Sequence, residues 1–420
     1  MPYNWKKNTA IFLACQAFTL FGSSLVQHAI TWHITLTTQS GVHATFIIIC
    51  AFLPTFFLAP FAGVWADRYN RRLLIIIADA SIAVCTLAMA YLFLSGRGAL
   101  WMLFAGAGVR ALGAAVQTPC VNAMLPDIVP EEHLTRVNGI NGSLQSLIML
   151  LSPMLSGALL GLASLESIFF VDVATAAVSI AVMLLLFRLP ARAEQPKPAA
   201  GGGYFGEMRE GLVYILGQPY LRNFFAFCAL FFLLAAPVAF LTPLQIARTF
   251  GGDVWRLTAI ELSFSVGMML GGLLIAAWGG FKNRVHTMAL AWIYMGAMTA
   301  GLGIPRYFWL YLLLMGLGGL SMPVFNTPAL VLLQERVDPR YMGRVFGVLT
   351  MLSSSLMPIG MLLFGPLADR IAIEWLLIFT GALMMLLAGA LFYNRPLLLA
   401  GARNPASPGG DEATAGDAKL

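Results

Sequence analysis

Five titratable side chains lie inside long apolar stretches of the sequence, where charges are rare. They are Arg110, Asp172, Glu261, Asp79 and His28. A charge inside a membrane is costly, so each should face a cavity or a partner. A buried carboxyl or imidazole can also exchange a proton near neutral pH. The pattern predicts proton binding, and the alternative for each residue is a structural role, as a hydrogen-bonded packing group or a charge near a helix end.

A second group of side chains in the same stretches is polar but uncharged. Neutral amides among aromatic and methionine side chains suit a pocket for an amphiphilic organic molecule. They equally suit polar contacts between membrane helices. The candidates for a substrate cavity are Gln27, Gln117, Gln145 and Asn326.

Membrane helices must position these residues, because the composition is far too apolar for a soluble domain. Of the 420 residues, 59% are hydrophobic and 10% are charged, whereas soluble domains have about 25% charged residues. A run of about 20 apolar residues spans the hydrocarbon core of a bilayer. The sequence predicts an all-α integral membrane protein with twelve transmembrane helices, at 11–36, 45–66, 73–94, 99–122, 140–163, 167–187, 221–245, 258–280, 287–304, 307–332, 345–368 and 375–393.

The two halves of the chain repeat one pattern. Thr-Pro pairs at 118–119 and 327–328 are each followed by a proline, an arginine and a glycine. Parallel halves of this kind predict two pseudo-symmetric six-helix bundles with the substrate held between them. A Pro- and Gly-rich segment joins the halves and leads into a helix at 204–217 that we expect at the membrane interface. The predicted units are an N-terminal bundle (1–189), a cytoplasmic linker with this helix (190–220), a C-terminal bundle (221–395) and a disordered cytoplasmic tail (396–420).

The basic residues predict the orientation of the chain in the membrane. With connections numbered alternately from an inside N-terminus, 19 of the 25 Lys and Arg residues fall inside, 5 fall outside and Arg110 lies within the membrane. Cytoplasmic loops carry such an excess. Both termini are therefore predicted to be cytoplasmic, and the net charge of +6 needs no nucleic-acid partner.

A short cationic hairpin at 63–72 joins the second and third predicted spans. Its notable residues are Gly63, Asp67, Arg68, Arg71 and Arg72. The stretch resembles the Gly-x-x-x-Asp-Arg-x-Gly-Arg-Arg signature of the major facilitator superfamily, with Asn70, which tolerates a left-handed turn, in place of the second glycine. The resemblance implies an inner gate in which Asp67 meets the start of span 11 near Arg344. A similar hexapeptide at 365–370 falls at the outer end of span 11, and we treat that likeness as coincidental.

Four further stretches resemble the macrolide-efflux branch of this superfamily, at 118–135, 143–153, 260–273 and 343–371. The resemblance implies a transporter of the bacterial cytoplasmic membrane that exports amphiphilic, macrolide-like molecules by alternating access. The driving force would be the proton gradient, with no cofactor, and the partners would be a small-molecule substrate and the lipid bilayer. We expect a monomer.

Several other functions remain open at this stage. The chain could export a siderophore or a lysolipid, import a nutrient, or serve as a membrane receptor or scaffold on the same fold. An enzyme is disfavoured, because the sequence has no Cys-x-x-Cys pair, nucleophile elbow or Walker motif.

Overall fold

The fold is a set of long helices joined by short connections. A computed structural model describes residues 4–187, 204–304 and 306–402. The described helices are α1 (Trp5–Thr38), α2 (Gly41–Arg68), α3 (Arg71–Leu94), α4 (Leu100–Ile128), α5 (Glu131–Leu162), α6 (Leu165–Leu185), α7 (Tyr204–Gly217), α8 (Pro219–Phe240), α9 (Thr242–Thr249), α10 (Val254–Trp278), α11 (Arg284–Gly301), α12 (Phe308–Arg336), α13 (Met342–Ala368), α14 (Ile373–Leu391) and α15 (Arg395–Gly401).

Eleven segments of the described chain are long and apolar enough to cross a bilayer, with α8 and α9 counted as one. The predicted span at 287–304 falls on α11, which has 18 residues and begins at Arg284, and it is not among the eleven. The all-α, multi-pass membrane architecture is therefore confirmed. The count of twelve spans and the division into two six-helix bundles stay predictions.

The helices pack as an earlier set, α1 to α6, and a later set, α8 to α14. The main contacts between the sets join α2 to α13, α5 to α10 and α1 to α9. The later set has an aromatic centre in which the rings of Phe231 and Trp292 stack with centroids 4.7 Å apart. The helices through which the sets meet are therefore α1, α2 and α5 of the earlier set and α9, α10 and α13 of the later set.

Two helix ends differ from the sequence prediction. Asn70 has φ −67° and ψ 108°, so it is not left-handed, and its Oδ1 accepts a hydrogen bond from the Leu73 amide at 3.3 Å. The Asn at this position is therefore the N-cap of α3. The predicted span at 221–245 breaks between Phe240 and Thr242, because Pro243 in the first turn of α9 lacks an N–H to continue α8.

The helices that follow the two sets, α7 and α15, both pack against the later set. The predicted helix at 204–217 is confirmed as α7, but Ile215 is buried and the Tyr214 ring stacks on Tyr341 at 4.3 Å, so α7 packs on the start of α13. The predicted disorder is wrong for 396–401, because α15 buries Leu397 and the Ala400 carbonyl accepts from Arg336 Nε at 2.9 Å. Residues 190–203 of the linker and 403–420 of the tail lie outside the described residues.

Candidate substrate cavity and its charged neighbours

Arg110 has a carboxylate partner inside the earlier helix set. Its guanidinium donates to Asp172 Oδ2 at 2.5 Å, to Thr86 Oγ1, and to the Ser23 carbonyl at 3.1 Å. The side chain of Arg110 is only 5% exposed and that of Asp172 only 1%. A pair this deeply buried neutralises its own charges, and removing one member would leave the other uncompensated. The two residues that the sequence nominated separately therefore act as one unit.

Asp79 lies in a different environment, because the described residues include no cation in contact with it. It is 2% exposed, and its Oδ1 accepts a hydrogen bond from Gln117 Nε2 at 2.7 Å. The Gln117 side chain reaches Asp79 from α4, because α3 and α4 pack along their length. Asp79 can therefore gain or lose a proton without leaving a buried cation unpaired.

The same Gln117 lines a cavity of about 290 Å³ bounded by α1, α4 and α5. No charged side chain is among the described residues of its wall. The wall consists of Gln16, Leu20, Ser24, Gln117, Thr118, Val121, Asn122, Gln145, Ile148 and Met149. Amides and a hydroxyl among apolar groups suit the hydrogen-bonding oxygens and nitrogens of an amphiphilic molecule.

Gln16 is one of the wall residues outside the four cavity candidates given in the sequence analysis. Its side-chain nitrogen and oxygen are both buried and neither has a hydrogen-bond partner. Unsatisfied buried amides of this kind are uncommon and costly. The helical spacing of Gln16, Leu20 and Ser24 places all three on one face of α1, and that spacing is the signal in the sequence that could have found Gln16.

The other cavity and proton-binding candidates that the sequence predicted lie in several different parts of the structure. Gln117 and Gln145 line the cavity, whereas Gln27 and Asn326 are not among its wall residues. His28 Nδ1 donates a hydrogen bond to the Ser24 carbonyl at 2.8 Å, so this ring makes a local contact within α1. Glu261 on α10 has no hydrogen-bond or ion-pair partner among the described residues. It lies one helical turn from Thr258, and Gly157 of α5 packs against Thr258.

Two of the three arginines of the 63–72 hairpin bind helix ends within the earlier set, whereas Arg68 is exposed. Arg71 donates to the Ala66 carbonyl at 2.8 Å and forms an ion pair with Asp127 at 2.6 Å. Arg72 donates to the carbonyls of Met183 and Leu184, at the end of α6, where a cation opposes the negative helix terminus. The side chain of Asp67 lies outside the described part of the chain.

The structure also shows the surroundings of two other inner-gate candidates, Gly63 and Arg344. A Cβ at Gly63 would meet no heavy atom within 4 Å, so no helix approaches α2 closely at that point. Arg344 forms an ion pair with Glu210 of α7 at 2.7 Å and lies over the Tyr341 ring. Arg344 therefore joins α7 to α13 in this structure.

The opposite ends of α2 and α13 are in direct contact through Asp369, just after α13. Its carboxylate accepts from the Ser40 hydroxyl at 2.8 Å and from the amides of Gly41 at 2.7 Å and Val42 at 3.0 Å. Arg248 donates to the same carboxylate at 2.6 Å. Burial alone would raise the pKa of Asp369, but these four hydrogen bonds together lower it to about 2. The hexapeptide that we treated as coincidental thus contributes the carboxylate of a contact between the two helix sets.

Known proteins resemble this chain over most of its length. The sequence matches the Major Facilitator Superfamily over residues 9–361. It is 30% identical over 391 residues to macrolide efflux protein A of Streptococcus pyogenes, which covers 92% of this chain and 95% of that relative. It is 25% identical over 350 residues to the class H tetracycline resistance protein of Pasteurella multocida, covering 80% of this chain and 83% of that protein.

Solved structures agree on the fold. A bacterial homologue of the human lysosomal transporter Spinster matches with a TM-score of 0.70 at 16% sequence identity, covering 95% of this chain and 99% of that one. The family expected from the hairpin is therefore confirmed, as is the resemblance to the macrolide-efflux branch. The chain belongs to the Major Facilitator Superfamily, whose members are membrane transporters and not enzymes.

Proposed function

We propose that this transporter exports amphiphilic small molecules of the macrolide type by alternating access, in exchange for protons. The observation that carries the proposal is the link from the cavity to Asp79: Gln117 lines the uncharged cavity and donates to this buried carboxyl. Proton binding at Asp79 would change the hydrogen bonding of a side chain in the substrate's own wall. The relatives named for macrolide efflux and tetracycline resistance support drug efflux at the level of the family.

The geometry favours some of the proton-coupling candidates over others. We propose Asp79 as the principal proton site and Glu261 as the second, because neither has a cation in contact. Asp172 and Arg110 form a buried pair that we assign to holding α4 and α6 together, and His28 to packing on α1. The proton gradient would then be the driving force, with no cofactor.

The proposed membrane placement rests on charge. The 19-to-5 distribution of basic residues supports a location in the bacterial cytoplasmic membrane with both termini inside. We further propose twelve spans, with α11 as the ninth, in two six-helix bundles, and a monomer that contacts lipid and substrate but no nucleic acid.

The proposed inner gate lies at the cytoplasmic end of α2 and α13. The N-cap residue of α13, Tyr341, makes no capping hydrogen bond with its own side chain. A carboxylate at a helix N-terminus gains about 0.3–1 kcal/mol, so Asp67 on the α2 side would hold this end shut when the substrate cavity faces outwards. Gly63, Arg68, Arg71, Arg72 and Arg344 would complete that gate.

Transport into proteoliposomes tests the proposal, with radiolabelled erythromycin as the probe. A gradient of 100 mV supplies about 2.3 kcal/mol per charge moved, which supports about fiftyfold accumulation per proton. We expect erythromycin to accumulate when the side that it enters is more acidic than the side that it leaves, and a protonophore to abolish the accumulation. Equal accumulation with and without the gradient would contradict proton exchange, and no movement of erythromycin or tetracycline would favour a siderophore, lysolipid or nutrient substrate.

Replacing Gln16 by Leu is expected to stabilise the empty protein and to weaken drug binding. The substitution removes two unsatisfied polar atoms, each of which costs about 1–3 kcal/mol when buried, and it removes a group that substrate could satisfy. We expect a higher melting temperature without drug and about tenfold weaker erythromycin binding. Gln145→Leu is the matched control, because Gln145 is an exposed amide of the same wall. A lower melting temperature for Gln16→Leu would show that the amide is a packing contact only.

A further inference from the structure

The two helix sets touch at one end of the molecule and are apart at the other. At the end where α2 begins and α13 finishes, which we call the closed end, a Cβ at Gly41 would collide with the Gly365 carbonyl, and Thr45 Oγ1 donates to the Met361 carbonyl at 3.1 Å. At the other end, a Cβ at Gly63 or Gly347 would meet no heavy atom within 4 Å. Among the described residues, these close contacts between the sets lie at the closed end, so the structure records one state of the molecule.

We propose that Asp369 and Arg248 form an outer latch that holds the closed end together, with Asp369 serving as the N-terminal cap of α2. The proposal rests on alternating access as the proposed function, because the latch must open once in each cycle. It gives a function to residues that belong neither to the cavity nor to the inner gate.

The cap of α2, in the earlier set, is supplied by Asp369, which follows α13 of the later set. The N-cap residue of α2, Ser40, makes no capping bond with its own side chain. The first amides of a helix lack partners within the helix and carry its positive end. Asp369 accepts from two of them, on Gly41 and Val42. Separation of the sets would leave those amides to water and would withdraw a negative charge from the positive end of α2.

Arg248, in the last turn of α9, completes the latch. Its guanidinium donates to the Ala368 carbonyl, at the end of α13, at 2.5 Å and to the Gln39 carbonyl at 2.5 Å and 3.1 Å. Gln39 is the one non-glycine residue with positive φ in the described chain, at φ 45°. This left-handed turn between α1 and α2 aims its carbonyl at Arg248, so a strained residue is held in place by the latch.

The latch stays charged over the physiological pH range. The pKa of Asp369 is lowered to about 2 by the groups that it binds, so its stabilising effect is lost only as the pH falls towards that value. The nearby titratable and charged groups on neighbouring elements are Arg370, beside it in the chain, and Glu374 of α14, which accepts from Thr249 at 3.0 Å. Movement of the helix sets, and not protonation of Asp369, must therefore open the latch.

Distance measurements on the purified full-length protein test the latch without any substrate. Spin labels at cysteines replacing Leu162, at the end of α5, and Ile304, after α11, report the separation of the sets at the closed end, and both positions are highly exposed. The parent, with its native cysteines replaced, should give one short distance. Asp369→Ala and Arg248→Gln should each raise the ratio of a longer-distance population about tenfold, and Asp369→Asn, which can still accept from the amides, should have a smaller effect.

Three matched variants separate the parts of the latch. Arg370→Ala removes a charge from the same segment outside the contact and should behave as the parent. Gly365→Ala should open the closed end by steric clash alone, with both charges intact. Exchange of the charges, Asp369→Arg with Arg248→Asp, restores opposite signs but puts a cation at the start of α2, so it should not restore the short distance.

The outcomes are distinct from those of the transport assay. Parental distance distributions in Asp369→Ala and Arg248→Gln, with normal folding by size-exclusion chromatography, would overturn the latch. Recovery of the short distance in the exchanged pair would overturn the capping role of Asp369. If the variants open as expected but erythromycin is not transported, the latch stands and the proposed substrate is wrong.

Discussion

Replacing Asp79 by Asn is expected to uncouple drug movement from the proton gradient while leaving the path for the drug intact. Asn has nearly the same shape and its side-chain oxygen can still accept the hydrogen bond from Gln117 Nε2. It cannot exchange a proton. The cavity wall should therefore keep its form, while the change in charge that we propose for each cycle is removed.

The expected effect is large and specific to one assay. Accumulation of erythromycin driven by a gradient of 100 mV should fall from about fiftyfold to the level reached without a gradient. Exchange of labelled for unlabelled erythromycin at equal pH should remain within about twofold of the parent. The titratable groups near Asp79 that could alter its titration are Cys15 on α1 and Asp172 on α6, which is paired with Arg110, so the assay should be repeated across pH.

Two further variants make the result for Asp79 interpretable. Glu261→Gln removes the second proposed proton site, for which the described residues show no ion pair, and tests whether it carries a second proton. Gln117→Leu keeps Asp79 but breaks its contact with the cavity, so it should weaken coupling and drug binding together. Full gradient-driven accumulation by Asp79→Asn would refute its role, and loss in Glu261→Gln alone would move the proton site to α10.

Replacing Asp172 by Asn is expected to destabilise the earlier helix set strongly. The change leaves the guanidinium of Arg110, which is 5% exposed, without a negative partner. Breaking a buried pair by removing one member costs about 3–5 kcal/mol. The variant should therefore have a markedly lower apparent melting temperature, measured at a fixed heating rate because unfolding of such proteins is commonly irreversible.

A double substitution separates structure from coupling at this pair. Arg110→Met with Asp172→Leu removes both charges and keeps apolar volume, so its melting temperature should lie well above that of Asp172→Asn. Proton-driven accumulation should persist in the double variant if the pair only positions helices. Parental stability in Asp172→Asn, combined with lost accumulation, would instead identify Asp172 as a coupling residue.

Some features of this protein follow from local sequence, because they depend on the character of one segment at a time. Apolar length sets the membrane-spanning helices, and the 63–72 hairpin together with four other stretches predicts the superfamily and its macrolide-efflux branch. The amphipathic helix at 204–217 follows from its periodicity. Gln117 and Gln145 could be nominated for the cavity because a neutral amide is conspicuous in an apolar helix.

The tertiary structure decided which of these residues meet. In α1 and α4 apolar side chains lie on every side, so hydropathy leaves the rotation of these helices about their axes open. The sequence therefore could not tell that Arg110 faces Asp172, or that Gln27 lies away from the cavity. It also could not place α7 against α13 instead of lipid, because an apolar face fits either surface. The capping of α2 by Asp369 joins groups more than 300 positions apart in the chain. Only packing of the two helix sets creates that contact, since each partner is an ordinary helix end until the other set is placed against it.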